Sequence, residues 1–131
     1  MGLLEIDDEL PTKPLKELVK LYLDKAYLSK HEKAKLIENG VRLSRYGKKK
    51  YVFDFLVINE DLGEIIGIDV KEWRRSIGVN VIRKFGAKVQ DSGVSYGILV
   101  GTEFSEIARK RVPKNVILLS KGELISILRT L

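Results

Sequence analysis

Residues 51–71 read YVFDFLVINEDLGEIIGIDVK. The first nine residues are rich in β-branched and aromatic side chains, EDLG is polar with a glycine, and EIIGIDVK is again β-rich, so the stretch predicts a hairpin. Strand side chains alternate, which places Val52, Asp54, Leu56 and Ile58 on one face of the first strand and Ile65, Gly67, Asp69 and Lys71 on one face of the second. If EDLG is a four-residue turn, Asn59 pairs with Glu64 and Asp54 with Asp69. Directly opposed residues carry Cβ atoms roughly 4.5–5.5 Å apart, so two carboxylates and an amine converge. A slip of one residue in the turn would send Asp69 to the other face.

Downstream of the hairpin, apolar residues Ile77, Val81, Ile82, Phe85 and Val89 recur at helical spacing, and Asp91-Ser92-Gly93 ends that helix. SYGILVG is a continuous apolar run that reads as a buried strand, joined to the hairpin by a helical crossover long enough for parallel pairing. FSEIARKR predicts a short basic helix and NVILL a last strand. Ser120 with Glu123 forms a capping box that opens a terminal helix running through Leu128.

Upstream, Leu15, Leu18, Val19, Tyr22, Leu23, Ala26 and Tyr27 describe one face of a helix over residues 15–28. Ser29 and Glu32 have the spacing of a second capping box, with Ala34 and Ile37 inside a second helix and Gly40 at its C-terminal end. A short strand is expected over 41–46 and a basic turn over 47–50, while residues 1–13 read as an arm. The order of elements is then α-α-β-β-β-α-β-α-β-α. It implies an α/β fold with a mixed sheet, antiparallel in its front half and parallel in its back half, flanked by helices.

The chain has 131 residues, enough for one core, so residues 1–131 are read as a single domain with residues 1–28 as arm and helix and 29–131 as catalytic core. With no cysteine and one histidine, a thiolate nucleophile, a Cys-based zinc site and a Ser/His/Asp triad are set aside. No apolar run reaches the roughly 18 residues of a membrane span, and no secretory leader is evident, so a cytoplasmic protein is expected. The 24 Lys+Arg against 18 Asp+Glu leave a net charge of +6, which favours a polyanionic partner, DNA above all.

Opposed carboxylates on an apolar sheet repel one another unless a cation lies between them or one keeps its proton. Mg²⁺ or Mn²⁺ suits two aspartates, because these ions take hard oxygen ligands and keep several waters. Lys71 has two roles open to it: orienting or deprotonating an attacking water, or stabilising charge on a phosphorane. Read blandly, Asp69 and Lys71 are a surface ion pair of small consequence.

Asp54 followed by Asp69-Val70-Lys71 resembles the motif of the PD-(D/E)xK nuclease superfamily, and the surroundings resemble its Mrr-like restriction endonucleases and archaeal nuclease relatives. The similarity extends through IGIDVKEWRRSIGVNVIRKF, SGVSYGILVGTEFSEIARK and NVILLSKGELISIL, covering roughly residues 30–131. The resemblance implies a restriction endonuclease-like core with a five-stranded sheet and an additional N-terminal helix. It also implies metal-dependent hydrolysis of DNA phosphodiester bonds, with Asp54 and Asp69 as metal ligands and Lys71 as the catalytic lysine, in repair, recombination or defence. Two departures stand out: Phe53 replaces the proline, and Asn80 and Val81 lie where many relatives carry a glutamine. Glu32 is the candidate for the acidic residue that often completes such sites; the other reading makes it the partner of Ser29 in the capping box.

Arg45, Lys48, Lys49 and Lys50 beside the basic turn, and Arg74 and Arg75 after the Lys71 strand, are candidate DNA contacts, with Asn80, Arg83 and Lys84 on the following helix. Phosphate contacts of this kind give salt-dependent affinity with little sequence preference. Trp73 packs beneath its loop or stacks on a base. The rival function is a non-cleaving DNA-binding module that keeps the nuclease fold. The first helix is also a candidate assembly surface, with a homodimer as the simplest product.

Overall fold

The computed structural model describes residues 9–131, so the expected arm over 1–13 lies outside it up to residue 8. A 3₁₀ turn at Leu10–Thr12 leads into α1, Leu15–Ala26. Three strands follow, β1 Ala34–Leu43, β2 Lys50–Asn59 and β3 Glu64–Lys71, then α2 Val79–Ser92, β4 Tyr96–Gly101, α3 Glu106–Lys110, β5 Val116–Ser120 and α4 Lys121–Thr130. The sheet has five strands in the order β1-β2-β3-β4-β5. Its β1-β2-β3 part is antiparallel and its β3-β4-β5 part parallel, the division expected from the sequence.

One helix expected from the sequence is absent. Residues 28–30 form only a 3₁₀ turn, in which the Ser29 hydroxyl donates to the Lys25 carbonyl and caps the end of α1. Residues 34–43 instead pair along nearly their whole length with β2. Gly40 marks close packing within the sheet rather than a helix end: a Cβ there would stand 2.4 Å from Leu56 Cδ1. A ladder shared with a β-rich neighbour outweighs a degenerate capping signal.

Each face of the sheet carries its own core. On one, Leu15, Leu18, Val19 and Leu23 of α1 and Leu124, Ile125 and Leu128 of α4 pack on Phe55, Val57, Ile66, Ile68, Ile98 and Val100. On the other, Ile82, Phe85 and Val89 of α2 and Ala108 of α3 pack with Phe53, Leu56, Leu99 and Val116. Burying an aliphatic side chain of this size contributes about 1.5–3 kcal/mol. With Leu15 and Leu18 at 0% exposure, α1 belongs to the core, and its apolar face is buried within the chain.

The alternation of β2 breaks at Asp54. Phe53 and Phe55 are two residues apart yet lie in opposite cores, although the register with β1 is the same on both sides of the break, Glu38↔Phe55 and Gly40↔Phe53. Opposite Asp54, Asn39 takes the left-handed conformation at φ 52°, so both strands turn over together. The break places Asp54 at the seam between the two faces.

Candidate active site

The hairpin register is the one the sequence predicts, Asn59↔Glu64 through Phe55↔Ile68. Beyond Phe55 the side chains take over from the backbone ladder. Asp54 N–H donates to Asp69 Oδ1 at 3.0 Å, and Val70 N–H donates to Asp54 Oδ2 at 2.7 Å. The acids therefore adjoin across the strands, each satisfying a backbone donor on the other side.

A different lysine approaches each acid. Lys16 Nζ, from α1, lies 3.4 Å from Asp54 Oδ1; Lys88 Nζ, from α2, lies 2.6 Å from Asp69 Oδ2. Lys88 also donates to the Val52 carbonyl and sits 4.3 Å from the centroid of Phe53. The hairpin places Asp54 and Asp69 together, but α1 and α2 pack on opposite faces of the sheet, so the break at Asp54 divides their lysine partners between those faces. Asp69 is 8% exposed, where a carboxylate must be paired and hydrogen-bonded. Gly67 makes room for this arrangement, since a Cβ there would stand 2.6 Å from Phe53 Cε1.

Asp69 and Lys71 line a cleft of about 320 Å³ together with Trp73, Val81, Lys84, Phe85, Lys88 and Leu99. Three ammonium groups and one carboxylate give it a positive balance, suited to a phosphate. It lies between α2 and the carboxyl-terminal part of β3, beside Leu99 of β4. Open α/β sheets place ligands at this end. The Trp73 ring has two cations near it, Lys71 Nζ at 5.7 Å and Arg75 Cζ at 5.0 Å from its centroid, and packs partly buried against the α2 core.

The other residues singled out by sequence fall into three places. Arg45, Lys48, Lys49 and Lys50 are exposed in and beside the β1–β2 loop; Arg74, Arg75 and Asn80 are exposed around the start of α2, with Arg83 and Lys84 further along it. Glu32 is exposed two residues before Ala34, which pairs with Asn59. Asp54 is five residues back along β2, roughly 17 Å at about 3.3 Å per residue, so Glu32 is not brought into the cluster. Lys16 is the residue that sequence reasoning missed; Lys88 reads from the sequence only as a more distant basic candidate for nucleic-acid contact, without its tie to Asp69. Three residues after Phe85, Lys88 stands at the flank of the inward face of α2, a spacing that does not name its partner.

Among the described residues, no group of three or more His, Cys, Asp or Glu side chains stands together to hold a metal ion. Two carboxylates alone still fit Mg²⁺ or Mn²⁺, which are bound through one or two acids, waters and substrate phosphates rather than in a protein cage. No helix among the described residues is long and apolar enough to cross a membrane.

A family model described as restriction endonuclease matches residues 24–128. No curated protein matches the sequence. Among solved structures, a protein of unknown function, AF1548, superposes with a TM-score of 0.59 at 17% identity, over 82% of this chain and 66% of that one. The DNA modification-dependent restriction endonuclease AspBHI superposes with a TM-score of 0.50 at 15% identity, over 95% of this chain and 35% of that one. At such identities the two share the fold with this chain, which spans about two thirds of the first and about one third of the second.

Proposed function

The chain belongs to the restriction endonuclease family, and from that premise we propose that it is a metal-dependent endonuclease hydrolysing DNA phosphodiester bonds in repair, recombination or defence. The observation that carries the reading is the paired arrangement of Asp54 and Asp69 beside a lysine-lined cleft. Asp54 and Asp69 would hold Mg²⁺ or Mn²⁺; when bound, the ion supplies positive charge to the phosphate and a more acidic water. Lys71 shares the cleft with Asp69, where its ammonium donates to the oxygen on which negative charge develops. Lys84 and Lys88 add positive charge around the same phosphate, and Arg74 and Arg75 hold the neighbouring backbone. The setting we assign is cytoplasmic, with residues 1–131 acting as one nuclease-like unit.

A second reading is a DNA-binding module that no longer cuts. The ion pairs of Lys16 with Asp54 and Lys88 with Asp69 favour it, because both acids already have cationic partners. Incubation of the purified chain with plasmid, branched and single-stranded DNA in Mg²⁺ or Mn²⁺ separates the two. Scission that disappears in both Asp69→Ala and Lys71→Ala supports the nuclease. Salt-sensitive binding without scission of any substrate supports the module, and equal scission by wild type and variants removes the nuclease reading.

A further inference from the structure

The β1–β2 loop reads SRYGKK over residues 44–49, and it is built rather than slack. Ser44 is buried; its hydroxyl accepts from Lys48 N–H and Lys49 N–H, both at 3.1 Å, and its own N–H donates to the Lys49 carbonyl at 2.7 Å. Gly47, at φ 70°, supplies the left-handed step and donates to the Ser44 carbonyl at 2.8 Å. Arg45 N–H donates to the Asp91 carbonyl at 3.0 Å, which fastens the loop to the end of α2. This frame holds Tyr46 out in solvent at 82% exposure, whereas Tyr22, Tyr27, Tyr51 and Tyr96 are all at least partly buried.

An aromatic ring held in water on a preformed loop retains most of the area it can bury, and little ordering entropy is lost when it does so. Its surroundings name the partner. Arg45, Lys48, Lys49 and Lys50 are exposed, and residues 42–50 contain no acid. An aromatic face among cations is the arrangement by which proteins hold single strands, with phosphates on the charges and bases on the ring. Within a stacked duplex both faces of a base are covered, so the ring requires a base that is already free. The loop also stands at the right end of the sheet: Lys50 is four residues from Asp54, roughly 13 Å at about 3.3 Å per residue, or about four nucleotides at 3.4 Å per step.

We propose that the β1–β2 loop captures an unpaired nucleobase on Tyr46, so that the substrate is DNA with single-stranded character within a few nucleotides of the scissile bond. This rests on the nuclease reading for its scissile bond, and on the loop alone for base capture.

Fluorescence anisotropy of labelled single-stranded DNA and of a blunt duplex of equal length, titrated with the full chain in EDTA at several salt concentrations, tests it. Tyr46→Ala should weaken single-strand binding at least fivefold, the lower end of one base–aromatic stack, leave the slope of log K against log salt unchanged, and alter duplex binding less than twofold. Tyr46→Trp should restore single-strand binding. Lys48→Ala/Lys49→Ala should instead reduce the salt slope by about 0.7 per lost contact on single strands, with Tyr46 in place. Equal affinity of Tyr46→Ala and wild type for single strands overturns base capture, as does an equal loss on both substrates. If wild-type protein cuts DNA while Tyr46→Ala binds normally, only base capture falls; if wild type binds single strands but cuts no DNA in Mg²⁺ or Mn²⁺, only the nuclease reading falls; if wild type binds no single strand, base capture falls.

Discussion

The ammonium of Lys88 lies 2.6 Å from the carboxylate of Asp69, so a helix lysine meets the buried acid from across the α2 core. That pair joins α2 to β3 in the wall of the cleft, and it compensates a charge that the sheet could not otherwise bury. Any cation that binds Asp69 has to share it with Lys88 or displace it.

Lys88→Met keeps the length of the side chain and removes its charge, leaving Asp69 with the Asp54 N–H as its remaining hydrogen-bond donor. Loss of a hydrogen bond to a largely buried charged group costs about 1.5–3 kcal/mol. Urea unfolding in EDTA at neutral pH should show a lower midpoint with unchanged slope. Added Mn²⁺ should raise the midpoint more in the variant than in wild type, because the ion then replaces the missing cation. An unchanged midpoint in EDTA would show that the pair contributes nothing to folding.

Gly67→Ala places a methyl group 2.6 Å from Phe53 Cε1, and Phe53 is fully buried. Overpacking of this kind costs about 1–3 kcal/mol. Because Lys88 rests over the same ring, the displacement should also loosen its hold on Asp69. Phe53→Leu combined with Gly67→Ala should recover part of the loss, a coupling read from a double-mutant cycle; strictly additive losses would place the clash elsewhere.

Much of the fold is legible because residues 51–71 carry a period of two with a turn whose length fixes the pairing of Asn59 with Glu64. The parallel half follows from apolar SYGILVG and the capping box at Ser120. Residues 29–40 mislead: Ser29 and Glu32 have capping spacing and Gly40 stands where a helix would end, whereas the glycine is required by Leu56 on the neighbouring strand. Near the site, the break in alternation at Asp54 depends on Asn39 turning over in a different strand, which local periodicity does not carry. Lys88 shows the same limit, since between Phe85 and Val89 it reads as the flank of an amphipathic helix until α2 is laid over Phe53.

High pH should unfold the protein through its tyrosines. Burial, and then the charge of Glu64, push Tyr96 up to about 12; burial and a hydrogen bond to Glu64 at 2.5 Å raise Tyr27, and a hydrogen bond to Asp91 raises Tyr51. The ordinary value is 10.0. Unfolded chains therefore lose these protons first, and the stability they contribute is fully present below pH 10 and declines from there towards 12. Denaturation midpoints measured from pH 8 to 11.5 should fall above 10 in wild type, and less steeply in Tyr96→Phe. Parallel curves for the two proteins would assign the alkaline loss to other groups.

The capping box of α4 should govern part of the acid limb. Burial acts to raise Glu123, but it is outweighed by the hydrogen bond from Arg109 at 2.9 Å and those shared with Ser120, so its carboxyl titrates below the ordinary 4.5. A depressed value in the folded state means that the contribution is present above 4.5 and is lost as pH falls through the folded value. Glu123→Gln should flatten the dependence of stability on pH below 4.5, while keeping an oxygen for the Ser120 N–H. Ser120→Ala, which removes the hydroxyl accepting from Glu123 N–H at 3.2 Å, should cost about 1 kcal/mol at neutral pH. If Glu123→Gln and wild type lose stability in parallel down to pH 3, the Arg109 pair is screened by solvent and contributes nothing to the acid limb.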